Sequence, residues 1–98
     1  MTVTIFIAAE SPDEMSALIT EGAPEANMSY STFFNVACIF DLYKYGETDH
    51  GECEPEEWLE GASNARAYAD TDLEKIRVEE IVAVARAAQA LGRRVRWG

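Results

Sequence analysis

The sequence has little of the residue types on which most catalytic and metal sites depend. Its 98 residues include one histidine, His50, and two cysteines, Cys38 and Cys53. With one histidine a Ser-His-Asp constellation would arise only by chance, and no serine or cysteine lies in a nucleophile-elbow sequence. Glycine-rich phosphate-binding motifs are also missing. These absences weigh against an enzyme, and we expect no cofactor.

Two cysteines are too few for a disulfide framework. Cys38 lies in an apolar stretch and is expected to be a small core residue. Long hydrophobic runs are absent too, since no run approaches the roughly 18 residues of a membrane span. The apolar segment 2–9 lacks the basic residues that open a signal peptide, and Glu10 follows it at once. We therefore expect a cytoplasmic protein that does not bind membranes.

Basic residues are scarce over most of the chain. Residues 1–65 hold 13 Asp and Glu against a single Lys44, whereas residues 66–98 hold seven Lys and Arg against five acids. The net charge of −10 disfavours direct nucleic-acid binding, which depends on neutralising phosphates. It favours instead a protein partner with a basic surface.

What the chain does have is enough apolar material for one core. Hydrophobic residues make up 48% of the sequence, and its length predicts a single domain over 1–98. Segment 2–9 is rich in β-branched and aromatic residues and is predicted to be a strand covered on both faces. Segment 93–97 alternates polar and apolar residues like a half-buried strand. Its arginines are expected to face solvent or to pair with the protein's own acids.

Four helices are predicted between these strands, from capping residues and apolar periodicity. They span about 12–21, 30–44, 55–69 and 72–91, and the segments 22–28 and 46–54 are predicted to be loops. The expected fold is α+β, with four helices packed on a two-stranded sheet formed by the N- and C-terminal strands.

Seven carboxylates follow one another in the second loop and the start of the third helix, without an intervening base. Such an array could occupy the basic cleft of a partner, as small inhibitors and immunity-type proteins do. The sequence thus predicts a non-catalytic protein–protein interaction module; the alternative is an acidic face that only aids solubility. The predicted partner-binding residues are Glu47, Asp49, Glu52, Glu54, Glu56, Glu57 and Glu60.

A second hypothesis places a small enzyme or a metal site in the same loop, at Asp49, His50 and Cys53. His-x-x-Cys supplies half of a zinc site, but no second histidine or nearby cysteine pair completes it. His50 and Cys53 are therefore only weak candidate ligands, and no metal is expected.

The loop also matches part of a calcium-binding EF-hand sequence. Asp41, Gly46 and Glu52 stand at positions 1, 6 and 12 of that pattern. Positions 3 and 5 are Tyr43 and Tyr45, whose neutral phenols are poor ligands for a hard cation. We interpret the match as a coincidence.

Aromatic side chains are more numerous around the second and third helices than a small core can hide completely. Some could line a pocket or form a homodimer face. The homodimer face is favoured, because so small a core leaves little room for a small-molecule pocket. The residues concerned are Tyr30, Phe33, Phe34, Tyr43, Tyr45 and Trp58.

Overall fold

The two strands predicted near the ends of the chain pair with each other at the centre of the sheet. A computed structural model describes all residues, 1–98. Strand β1 (Thr2–Ile7) lies antiparallel to strand β4 (Val95–Trp97), with Phe6 opposite Arg96. Two such short strands are marginal alone, so the pair needs further partners on its outer edges.

Two further strands extend this pair on both sides and correct the predicted two-stranded sheet. Strand β2 (Ala26–Ser29) pairs with β1, and strand β3 (Gly51–Cys53) pairs with β4. The sheet has four antiparallel strands in the order β2-β1-β4-β3. Apart from Ser29, both added strands lie in segments 22–28 and 46–54, which were predicted to be loops. Their polar, glycine-containing sequences carry little strand propensity, and pairing with β1 and β4 supplies the rest.

Five helices, rather than four, connect the strands. Helix α1 is capped by Ser11, whose hydroxyl accepts the Glu14 N–H, and helix α5 ends at Gly92 in the left-handed conformation. None of the helices combines the length and hydrophobicity needed to cross a bilayer. The helices are α1 (Pro12–Thr20), α2 (Tyr30–Ile39), α3 (Tyr43–Gly46), α4 (Pro55–Tyr68) and α5 (Asp72–Leu91).

The predicted helix over 30–44 is interrupted at Asp41, which has a φ of 62°. The Leu42 N–H donates to the Ala37 carbonyl and the Asp41 N–H donates to the Cys38 carbonyl, which is the hydrogen-bond pattern of a Schellman cap. Aspartate is one of the few residues other than glycine that enter this conformation readily. The chain therefore turns after α2 and starts the short helix α3.

The core lies between one face of the sheet and helices α2, α4 and α5. Val3, Ile5 and Ile7 of β1 point into it, and Val95 and Trp97 of β4 do the same, as the alternation of segment 93–97 predicts. Strand β1 was predicted to be covered on both faces, but Thr4 and Phe6 on its other face are only partly buried. The opposite face of the sheet carries Thr4, Phe6, Arg96 and other partly exposed residues. Helix α1 contributes no fully buried side chain.

An aromatic cluster fills the part of the core nearest to α4. Trp58 is fully buried and forms edge contacts with Phe40 and Trp97, at centroid distances of 5.1 and 5.9 Å. Such pairs add about 0.5–1.5 kcal/mol each beyond their burial. Trp58 therefore anchors the first turn of α4 to the sheet.

The cysteines are placed differently from the prediction. Cys38, predicted to be a core residue, is exposed, and Cys53 is buried; both are free thiols. The reason is the orientation of α2, which directs Val36 and Ala37 into the core and Cys38 away from it.

Candidate partner-binding surface

The seven predicted acids lie in the turn between α3 and β3, in β3 itself, and at the start and in the first turns of α4. The Tyr30 hydroxyl donates to the Gly46 carbonyl at 2.7 Å and fixes the end of α3 against α2. The Thr48 hydroxyl donates to the His50 carbonyl at 2.6 Å and shapes the turn. Pro55 opens α4, where an exposed carboxylate is favoured by the positive end of the helix dipole. The backbone beneath the acids is thus well supported.

Two of the seven carboxylates are neutralised within the chain by arginines of the last strand. Arg96 and Arg94 each bind one oxygen of Glu52 at 2.7 Å, and Arg94 also binds Glu54 at 3.1 Å. The hydrogen bond from Arg96 lowers the pKa of Glu52 below its ordinary value. The prediction that these arginines pair with the protein's own acids is confirmed. Glu52 and Glu54 therefore serve to hold β3 and the start of α4 to β4.

A third carboxylate, Glu57, is also committed to the fold. One oxygen accepts the Tyr45 hydroxyl at 2.5 Å, and the other accepts the backbone N–H of Glu54 at 3.3 Å. The hydrogen bond to Glu57 raises the pKa of Tyr45 to about 12, so the phenol remains protonated and donating. Glu57 thus links α3 to α4 and caps the latter.

The remaining four carboxylates, Glu47, Asp49, Glu56 and Glu60, are exposed to solvent, and we call them the open acidic surface. Glu47 and Glu60 have no side-chain hydrogen bond or ion pair within the chain. Glu56 accepts only a neutral amide, from Gln89 at 3.2 Å. Asp49 lies 3.0 Å from the Nδ1 atom of His50, and this hydrogen bond lowers the pKa of Asp49. All four can meet a partner without first breaking a bond to an arginine.

Asp41 adjoins this surface, although the acidic run in the sequence did not include it. A groove of about 280 Å³ between α2 and α4 is lined by Asp41, Glu57, Glu60 and Asn64, among others. Asn64 donates to the Ile39 carbonyl at 2.7 Å and closes one side. No sequence signal marks Asp41, because the apolar run continues past it to Leu42 and Tyr43 and the usual residues after a helix end are Gly or Asn.

The charge of the region stays strongly negative after its internal pairs are counted. Seven carboxylates against the two guanidinium groups of Arg94 and Arg96 leave a charge of −5. Lys44, the only base among residues 1–65, forms no ion pair, and its ammonium lies 5.7 Å from the centre of the Tyr45 ring. Comparison with known proteins found no matching family model, no matching curated protein and no matching solved structure.

The loop residues of the enzyme or metal hypothesis are not arranged for joint chemistry. Cys53 is 1% exposed, and burial raises the pKa of its thiol to about 12, so the nucleophilic thiolate is not formed near neutral pH. His50 is 82% exposed at its side chain and contacts Asp49. No group of three or more His, Cys, Asp or Glu side chains is placed to hold a metal ion.

The aromatic residues considered for a homodimer face divide into buried and exposed ones. Phe33 and Trp58 belong to the core, and Tyr30 and Tyr45 pack against its edge. Phe34 and Tyr43 are the exposed members. Self-association through this part of the molecule stays a prediction that rests on the two exposed rings, and light scattering would test it.

Proposed function

We propose that this protein is a non-catalytic interaction module that binds a basic surface of a partner protein through its open acidic surface. The partner's Lys and Arg side chains would meet Glu47, Asp49, Glu56 and Glu60. Inhibition of a nucleic-acid-binding protein is one use of such a surface, since carboxylates can stand in for phosphates.

The observation that carries the proposal is that some carboxylates of the region are bonded to other side chains of the protein and others are not. Glu52, Glu54 and Glu57 each have a partner within the chain, whereas Glu47 and Glu60 have none. A large surface field of one sign is usually avoided unless it steers a charged partner, so the unpaired acids favour a steering role over solubility alone. Arg94 and Arg96 bind Glu52 and Glu54, and Lys44 forms no ion pair, so no base neutralises Glu47 or Glu60.

Charge of this kind acts mainly on the rate and selectivity of association. A concentrated negative potential raises the association rate with a basic partner, and salt weakens the effect because it screens exposed charges. At about 0.15 M ionic strength the screening length is about 8 Å, so contacts at close range remain effective.

Affinity capture with two matched variants tests the proposal. The test variant carries Glu47→Gln, Glu56→Gln and Glu60→Gln, and the control carries Asp13→Asn, Asp70→Asn and Asp72→Asn. Both lose three exposed acids, so both have a net charge of −7. The retained proteins are identified by mass spectrometry at two salt concentrations.

The expected result is a partner with a basic surface that the wild-type chain and the control retain and the test variant loses. Equal loss in both variants would show that only net charge matters. Retention by all three chains, or by none, would also contradict a role for the open acidic surface.

A further inference from the structure

A cleft at the other side of the sheet has no role in the open acidic surface. It lies between α1, the end of β1 and the turn that leads to β2, and its volume is about 210 Å³. Six of the eight side chains that line it are hydrophobic. They include Phe6, Met15, Leu18, Ile19 and Ala23, and the lining also contains Glu25.

Most apolar side chains of α1 are not buried in the core. Met15 is partly exposed and Ile19 is 71% exposed, and only Leu18 packs against the core from this helix. Exposed apolar side chains grouped beside a cleft can mark an interaction site. Met15 lines one side of the cleft, and its flexible, unbranched side chain can adjust to different occupants.

The unpaired charges near the cleft are acidic. Residues 1–43 contain no Lys or Arg; Glu25 lines the cleft and Glu21 caps the end of α1, and both are exposed and without an ion pair. The nearest bases are engaged: Arg93 binds Glu14 at 2.6 Å, and Arg96 binds Glu52 at 2.7 Å. An occupant that is apolar in the cleft and positively charged beside it would match both properties.

The size of the cleft favours one side chain over a whole small molecule. Ligand pockets for small molecules usually enclose roughly 300–1,000 Å³, which is more than this cleft offers. A single large apolar residue needs less room, and its neighbours in the chain would bring charges to the rim. Amphipathic helices with such anchors bind apolar grooves in this way.

We propose that this cleft, the α1 cleft, binds an apolar anchor residue on a basic amphipathic segment of a partner protein. The anchor would contact Phe6, Met15 and Ile19. Lysines or arginines one helical turn from the anchor would face Glu21 and Glu25.

Three synthetic peptides titrated into the isotopically labelled protein test this by NMR. The first is a helical peptide of leucine and lysine; the second replaces its lysines by glutamate, and the third replaces its leucines by serine. The first should shift the amide signals of Met15, Leu18, Ile19 and Ala23. The other two should bind this site at least tenfold more weakly, because each lacks one of the two matching properties.

Paired substitutions distinguish binding at the cleft from non-specific binding to exposed apolar residues. Ile19 and Ile76 are both exposed isoleucines on helices, and Ile76 lies on α5 away from the cleft lining. Ile19→Ser should weaken the leucine–lysine peptide about tenfold, since a large apolar contact is lost, and Ile76→Ser should not. Glu21→Gln combined with Glu25→Gln should weaken it about threefold and reduce its salt dependence.

Several results would overturn the proposal. One is equal binding by the serine-containing peptide, which would show attraction by charge alone. Another is equally tight binding of uncharged N-acetylleucine amide, which would make the cleft a small-molecule pocket. Shifts confined to Glu56 and Glu60 would place the peptide on the open acidic surface, which contradicts this proposal and leaves the first one standing.

Discussion

At the scale of single residues, the fold depends on positions where side-chain size or backbone conformation leaves little choice. Gly61 is such a position, because a Cβ atom there would overlap the carbonyl oxygen of Phe40. Helices α2 and α4 thus approach each other through backbone at this point. The close approach holds α4, and with it Glu56 and Glu60, against the rest of the molecule.

The substitution Gly61→Ala should destabilise the protein by about 1–3 kcal/mol, since the added methyl group forces the two helices apart. In an open helix the same change would stabilise by up to about 1 kcal/mol. Urea unfolding followed by tryptophan fluorescence measures the difference. Ser63→Ala, at an exposed site of the same helix, should change stability by less than about 0.5 kcal/mol. A stabilised Gly61→Ala variant would contradict the close approach.

The end of helix α2 before Asp41 could not be predicted from the sequence. The apolar run from Phe33 to Tyr43 favours one continuous helix, and nothing in its periodicity marks an end. The left-handed conformation is less unfavourable in free energy for aspartate than for most residues, but more unfavourable than for glycine. The flanking hydrogen bonds and the burial of Phe40 stabilise it here. Tertiary packing decided this boundary.

At the scale of elements, helix α1 is attached by few interactions. It has no fully buried side chain, and Arg93 binds the Glu14 carboxylate with two nitrogens, at 2.6 and 2.8 Å. The hydrogen bonds from Arg93 lower the pKa of Glu14 from 4.5 to about 2. This ion pair therefore contributes to holding the helix in place at neutral pH.

The attachment of α1 should weaken in acid. Because the pKa of Glu14 is lower in the folded chain, the ion pair stabilises α1 fully above pH 4.5 and is lost as the pH falls toward about 2. Hydrogen exchange should show the amides of α1 losing protection over this range. Glu14→Gln should remove the pH dependence, and Glu79→Gln, which breaks the ion pair with Arg66, should leave it. Unchanged protection of α1 across the range would contradict this account.

The four longer helices and the two terminal strands could be predicted because each carries its own signals. Caps such as Ser11 and Thr71 and the alternation around Val95 are local. Strands β2 and β3 could not be predicted, since three or four residues with little strand propensity become strands only beside β1 and β4. The candidate site follows the same division: the acidic run is visible in sequence, but its pairing with Arg94 and Arg96 depends on β3 lying next to β4.

At the scale of the whole molecule, the acids outnumber the bases by ten and repel one another. Individual exposed ion pairs contribute at most about 1 kcal/mol each, and many contribute less. The unpaired carboxylates therefore set the response of stability to salt. Self-repulsion of this kind destabilises the compact state and keeps the protein dispersed.

Stability should rise with ionic strength. Between about 0.01 and 0.15 M salt the screening length falls from about 30 to 8 Å, which weakens repulsion across the molecule more than contacts at ion-pair distance. Calorimetry should therefore show a higher Tm in the added salt. The variant carrying Glu47→Gln, Glu56→Gln and Glu60→Gln should show a smaller rise. A Tm that falls with salt would mean that the ion pairs outweigh the repulsion.

The pairing of the first and last strands has a mechanical consequence. Thr4 and Gly98 exchange two backbone hydrogen bonds, of 2.9 and 3.0 Å, so residues 1 and 98 lie at the same end of this strand pair, with residue 1 three positions beyond Thr4. Tension applied between residues 1 and 98 would act perpendicular to the antiparallel strands. Their hydrogen bonds would therefore break one after another and not all together, as they would under shear. A short covalent link between the same two points would close the backbone into a ring and remove that line of weakness.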